Sequence, residues 1–163
     1  MSRENLRARA WAAASAVVDP EIPVLTIADL GVLREVRVAA GNTVEVTITP
    51  TYSGCPAMRV IEFEVAESLR RAGIDHFHVT TVLSPAWTTD WLSAEGRRKL
   101  AEFGIAPPQG LAARRALFST EQVPCPHCDS RDTERISEFG STACKALYRC
   151  RSCAEPFDYF KCH

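Results

Sequence analysis

The chain contains no run of eighteen apolar residues, so no segment of it reads as a transmembrane helix. Its first residues, Met1-Ser2-Arg3-Glu4-Asn5, lack the apolar stretch of a secretion signal, and a cytoplasmic location is expected. Positive charge is not in surplus. The formal net charge is −1; residues 1–108 carry 11 basic and 13 acidic side chains, and residues 109–163 carry 8 and 7. Neither part has the basic excess on which binding to a phosphate backbone depends, so neither nucleic acid nor a membrane is an expected partner. No G-x-G-x-x-G loop and no P-loop is present, which removes the usual nucleotide sites. No Glu-x-x-His motif of a di-iron bundle occurs, nor the cysteine spacing of a plant-type ferredoxin. Cysteine itself is nearly absent from the first 124 residues, which hold only Cys55.

The other six cysteines crowd into the last thirty-nine residues. Four of them form two knuckles, Cys125-Pro126-His127-Cys128 and Cys150-Arg151-Ser152-Cys153, separated by twenty-one residues. Each C-x-x-C turn can point two sulfurs at one centre, and two such turns on adjacent hairpins close a tetrahedron for zinc or iron. The interval slightly exceeds the roughly 15–20 residues common in such sites. A hairpin loop absorbs that readily, because the entropy of loop closure grows only logarithmically with length. A tail of this size has too small a core to fold unaided, so a structural metal is the natural staple. Zinc is the leading expectation, with iron or an iron–sulfur centre as the alternative. Cys144, Cys162 and His163 are further candidate ligands; the plainer reading makes them packing or surface groups near the ribbon.

The apolar periodicity divides the rest of the chain into alternating elements. Residues 3–18 read as a helix that stops before Asp19-Pro20, since the residue before a proline avoids the helical region. Asp19-Pro20-Glu21-Ile22-Pro23 reads as a rigid extended segment, and Asp29-Leu30-Gly31 as a turn. Strands are expected over 32–38 and 44–48, joined by a Gly41-Asn42 hairpin turn. A helix follows over 56–72, with Pro56 in its first turn and Gly73 past its end. A third strand is expected over 77–83, then a helix capped by Ser93 that runs to about Phe103. Pro107-Pro108-Gln109-Gly110 is the clearest linker. Short strands are expected beyond it near 116–118, 133–137, 146–149 and 157–160. The expected domains are therefore 1–106, a linker over 107–112, and a metal domain over 113–163.

Cys55 lies at the expected start of a helix, where unpaired N–H groups and the helix dipole favour negative charge. Its pKa is accordingly expected to fall, making it a better ligand and nucleophile. Thr51 and Ser53 supply hydroxyls in the same loop, and Gly54 allows close backbone approach. The plain alternative is an inert cysteine that caps a helix.

Four segments occur in order: Asp19-Pro20-Glu21-Ile22-Pro23, Asp29-Leu30-Gly31, Thr49-Pro50-Thr51-Tyr52-Ser53-Gly54-Cys55-Pro56, and Ser84-Pro85-Ala86-Trp87-Thr88-Thr89-Asp90. Together they resemble the iron–sulfur cluster assembly domain superfamily, which includes the SufT-like and MIP18-like proteins. The resemblance spans residues 5–104. It implies an α+β fold, with a mixed three-stranded sheet packed by helices in two layers. It also implies a surface pocket shared by the D-P-E-x-P and G-C-P loops, with Glu21, Asp29, Thr51 and Cys55 at the motif positions. The tail resembles that of the PaaD (PaaJ) family, in the knuckles and in Glu138-Phe139-Gly140-Ser141-Thr142, Cys144-Lys145-Ala146-Leu147-Tyr148 and the segment from Glu155 to His163.

The PaaD resemblance implies a small β zinc ribbon. It also implies an accessory role beside the phenylacetyl-CoA epoxidase of aerobic phenylacetate breakdown. On that reading the chain is not itself catalytic; it serves maturation of the oxygenase or the reductase component by delivering iron or an iron–sulfur cluster through Cys55. Two alternatives stand beside it: a structural or docking subunit that transfers nothing, and a thiol redox protein using Cys55. The oxygenase and reductase are the expected partners, and a homodimer is left open.

Overall fold

The computed structural model describes residues 2–109 and 122–161. The chain divides into two compact units, Met1–Trp87 and Thr88–His163. In the first unit, helix α1 (Arg3–Ser15) starts on Ser2, whose hydroxyl accepts from the Asn5 N–H at 3.2 Å. Its buried face is Leu6, Ala10 and Ala14, a spacing of four that keeps one stripe turned inward. The small alanines let α1 lie close against helix α2 (Ala57–Arg71). Ser68 Oγ donates to the Ala13 carbonyl at 2.8 Å, and Arg9 donates to the carbonyl of Ala72 at the end of α2. Helix α2 buries Met58, Ile61, Val65 and Leu69.

Strands β1 (Leu33–Val38), β2 (Val44–Ile48) and β3 (Phe77–Thr81) form a sheet in the order β1-β2-β3. The β1–β2 pair is antiparallel, joined through a tight turn at Ala40–Asn42 with φ of +70° at Gly41 and +59° at Asn42. The β2–β3 pair is parallel, with Val44 opposite Phe77 and Ile48 opposite Thr81. A parallel neighbour needs a crossover, and α2 supplies it. β2 is therefore the central strand, and Val44, Val46 and Ile48 are fully buried. This is the mixed three-stranded sheet with helices that the motif resemblance implies.

The first helix ends three residues sooner than its periodicity suggests. Beyond Ser15 the backbone is claimed by tertiary pairing: Ile27 N–H bonds the Val17 carbonyl at 2.8 Å, and Asp19 N–H bonds the Leu25 carbonyl at 2.9 Å. A bridge between Val18 and Thr26 lies between these bonds.

In the second unit, helix α3 (Ala94–Glu102) is capped by Ser93, whose hydroxyl accepts from Gly96 N–H at 2.8 Å. Strands β4 (Ile105–Ala106), β5 (Thr133–Ser137), β6 (Lys145–Cys150) and β7 (Pro156–Phe160) form a sheet in the order β4-β7-β6-β5. One face buries Ala146, Tyr148, Phe157 and Tyr159 with Val123, Cys125 and Cys150. Tyr148 stacks on Phe157 and meets Tyr159 edge-on.

The observed division differs from the expected boundary at 107–112. The linker reading assigns α3 and residues 105–106 to the first domain. They lie in the second unit, because β4 hydrogen-bonds in parallel to β7. Two residues are too few to show a strand period, so β4 leaves no pattern in the sequence. The strand expected near 116–118 and part of the linker fall outside the described residues, as do Cys162 and His163.

Candidate functional sites: a half-buried cysteine and a four-cysteine centre

The chain leaves the central strand β2 at Ile48 and turns through Thr49–Pro56 before entering α2. Thr49 N–H still pairs with the Val32 carbonyl at 2.9 Å, so the loop starts from a fixed anchor. Gly54 has φ of +81°, a left-handed conformation that costs a residue with a side chain about 1–2 kcal/mol. A Cβ at Gly54 would meet nothing within 4 Å, so the glycine serves the backbone turn rather than packing. Cys55 N–H then bonds the Tyr52 carbonyl at 3.3 Å, and the Cys55 carbonyl accepts from Met58 N–H at 3.3 Å.

The Cys55 side chain is half-buried. Its sulfur accepts from the Ala57 N–H and from the Tyr52 hydroxyl, both of which favour the thiolate. Burial outweighs them, and the Glu21 and Asp19 carboxylates oppose the charge further, so the thiol pKa is pushed up. This corrects the expectation of a lowered pKa. The helix terminus acts in the anticipated direction through Ala57, but desolvation prevails.

The same opposition brings Glu21 to the neighbourhood of Cys55, as the paired loops of the family motif imply. Asp19 shapes the approach. It is 7% exposed, and its Oδ1 accepts from the N–H groups of Glu21 and Ile22 at 2.8 and 2.9 Å. The motif reading makes Asp19 only part of a stiff segment; the signal for its role is an Asp two residues before Glu21, the spacing of an Asx turn.

Asp29 sits in a reciprocal turn with Thr26: its Oδ2 accepts from Thr26 N–H at 3.1 Å, and its N–H donates to Thr26 Oγ1 at 3.0 Å. Thr51 lines a cleft of about 200 Å³ with Thr49, Tyr52, Ser53, Leu83 and Trp87. Thr49 Oγ1 is buried there and finds no hydrogen-bond partner among the described residues. Trp87, 4% exposed, donates from Nε1 to the Leu30 carbonyl at 2.8 Å and so pins the Ser84–Trp87 loop to the Asp29-Leu30-Gly31 turn.

The second site is the pair of knuckles. The sulfurs of Cys125, Cys128, Cys150 and Cys153 all lie within 4.8 Å of one another. The Cys125–Cys153 distance is 3.8 Å and the Cys128–Cys150 distance is 3.6 Å. A tetrahedron with Zn–S bonds of about 2.3 Å has edges of about 3.8 Å, so the four sulfurs fit one tetrahedral ion. The local backbone explains the arrangement. His127 N–H donates to Cys125 Sγ at 3.4 Å, and Asp129 adopts φ of +59° to close the first turn. In the second knuckle Ala154 does the same at φ of +66°.

The thiols respond unequally without an ion. Backbone N–H groups at Cys153 and Ser152 pull Cys150 down to about 6. The Ser130 N–H favours the Cys128 thiolate, but donation to the Cys150 thiolate, desolvation and the other two cysteines together push Cys128 up to about 12. Burial raises Cys125. Cys150 thus starts ionised, and Cys125 and Cys128 must each lose a proton to bind. Cys144 is not among the four convergent sulfurs: it is 3% exposed, with Sγ 3.0 Å from Thr142 Oγ1.

Known proteins match both sites. The model of an iron–sulfur cluster assembly protein family matches residues 7–83, and that of the PaaD zinc beta ribbon domain matches residues 111–161. A protein of Escherichia coli, provisionally named as a component of 1,2-phenylacetyl-CoA epoxidase, is 51% identical over 93% of this chain and 90% of its own length. The chain belongs to the PaaD family. The chain also resembles an Fe-S protein maturation auxiliary factor of Porphyromonas gingivalis, 37% identical over 52% of this chain and 80% of that protein. Among solved structures, a domain of unknown function from Bacillus anthracis aligns with a TM-score of 0.56 at 28% identity, covering 61% of this chain and 95% of that one. A conserved hypothetical protein from Thermotoga maritima aligns at 0.51 and 27%, over 61% and 98%. This chain thus carries matches to both an iron–sulfur cluster assembly protein family and a zinc beta ribbon domain. No helix among the described residues is long and apolar enough to cross a membrane.

Proposed function

We propose that this PaaD protein is a non-catalytic accessory subunit that delivers iron, or a labile iron–sulfur cluster, to the oxygenase or the reductase of a cytoplasmic phenylacetyl-CoA epoxidase. The observation that carries this reading is the Cys55 site: one half-buried thiol, two donors turned toward its sulfur, and the Glu21 carboxylate nearby. Such a set is incomplete for iron. A recipient can therefore supply the missing ligands and take the cargo by exchange. Because the thiol is protonated at neutral pH, loading requires it to give up its proton. The Ala57 N–H and the Tyr52 hydroxyl then stabilise the sulfur charge that remains. Glu21 supplies a carboxylate as a second donor, while Asp29 shapes its own turn with Thr26 and Thr51 lines the cleft beside the Cys55 loop.

The four-cysteine centre takes a structural zinc on this reading, its four sulfurs all engaged and none left open for exchange. It keeps the ribbon folded as the surface that docks the client. A thiol redox role fits less well, since a raised pKa lowers the thiolate population that attacks a disulfide.

The test is reconstitution of the epoxidase with a Cys55→Ala variant. The variant is expected to fold and to keep its zinc, while the oxygenase or reductase emerges short of iron by metal analysis. Full client iron with the variant present would remove the transfer role and leave a docking component.

A further inference from the structure

The sheet of the second unit has two faces of different character. Strand residues alternate between faces. With Ala146, Tyr148 and Tyr159 in the core, the opposite face carries Lys145 and Leu147 of β6 and Asp158 and the fully buried Phe160 of β7. The register places Ile105, Asp158 and Leu147 side by side across β4, β7 and β6. This face floors a groove of about 590 Å³ whose walls include Phe103 and the loop from Phe139 to Ser141. A solvated sheet face usually presents polar side chains. Here Leu147 lies half-buried on it, Ile105 is 5% exposed at its edge, and the Phe103 and Phe139 rings beside it are 56% and 64% exposed.

Lys145 is 4% exposed. Among the described residues its partner is Asp158, with Nζ 3.9 Å from Oδ2, too far for a hydrogen bond. That carboxylate already accepts from Ser141 Oγ at 2.7 Å. An ammonium has three donors, and withdrawing it from water without acceptors is costly. A second cation lies at the rim, where Lys161 Nζ sits 4.5 Å from the Phe139 ring centroid. Lys161 Nζ also donates to the Glu138 carbonyl at 2.9 Å, so it is the donors of Lys145 that Asp158 leaves unused that favour an incoming negative charge in the groove.

We propose that this groove docks an extended segment of a partner protein that carries an acidic side chain beside a large apolar one. The carboxylate meets Lys145, and the apolar side chain lies on Leu147 between the two exposed rings. Exposed aromatic rings around a desolvated charge are what a partner covers at the centre of an interface, whereas a small ligand is normally enclosed on most sides. The inference deepens the docking role proposed for the ribbon, and it rests on that reading only in taking the partner to be a protein.

The test uses the full-length, zinc-loaded, isotopically labelled protein, titrated with the synthetic peptide acetyl-Gly-Asp-Phe-Glu-Leu-Gly-amide. Amide shifts are expected at Gly104, Ile105, Phe139 to Lys145 and Leu147. The Asn/Gln version of the peptide should bind about tenfold more weakly, since a hydrogen bond to a charged group is lost. Phe139→Ser removes an exposed ring and should weaken binding more than about fivefold, with zinc content and melting temperature unchanged. Shifts elsewhere or nowhere, or equal binding of the Asn/Gln peptide, would overturn the proposal. So would the same amides shifting with protein concentration alone, which would assign the groove to a second copy of the chain. No iron enters this experiment, so its outcome is independent of Cys55 transfer.

Discussion

Cys55 sits between opposed influences, and their balance is testable. The Ala57 N–H and the Tyr52 hydroxyl favour its thiolate; burial, Glu21 and Asp19 favour its thiol, and these prevail. A raised pKa means the proton stays on through neutral pH and leaves only above the ordinary value of 9.0. Alkylation of Cys55 by iodoacetamide is therefore expected to be slow at pH 7 and to accelerate beyond pH 9, followed by mass spectrometry. Glu21→Gln removes an opposing charge and should speed the reaction at neutral pH. Tyr52→Phe removes a donor and should slow it. At the ribbon the asymmetry is larger: Cys150 is ionised at neutral pH, while Cys125 and Cys128 are not. Metal binding should thus release at least two protons at pH 7, read by pH-stat, and should weaken as pH falls through the range near 6 where Cys150 takes up a proton.

The elements that carry these residues are largely legible in the sequence, because each has a long enough period or a clear stop. The buried stripe Ile61, Val65 and Leu69 marks α2, and Ser93 marks the start of α3. Leu69 is fully buried, so Leu69→Ala should cost about 2–5 kcal/mol in denaturant unfolding. Gly54→Ala should cost about 1–2 kcal/mol from backbone strain alone, since no atom obstructs the new Cβ. That variant should also disturb the Cys55 loop, visible as an altered alkylation rate. What escapes the sequence at this scale is the end of α1 and the strand β4. Both are decided by distant backbone partners, Leu25 and Ile27 for the first and β7 for the second, and a local window contains neither.

For the whole chain, the two compact units should respond separately to loss of metal. A strong chelator should unfold the second unit, whose core includes Cys125 and Cys150, and leave the helical signal of the first. Circular dichroism with metal analysis should show one retained and one lost transition. A single transition for both would contradict separate stabilisation. The sequence by itself determined which four cysteines converge, because C-x-x-C spacing encodes a local geometry that two turns can complete. It also determined the order of strands and helices, through periodicities of two and 3.6 residues. The approach of the Glu21 and Cys55 loops to each other was likewise readable in the motifs. Only the tertiary structure decided the protonation of Cys55, because desolvation depends on what packs around a residue rather than on its neighbours in the chain. It alone decided where the units divide, since β4 belongs to the strand it pairs with. And it alone set a nearly buried Lys145 beside Ile105 and Leu147, on a face whose composition in the sequence is an ordinary alternation.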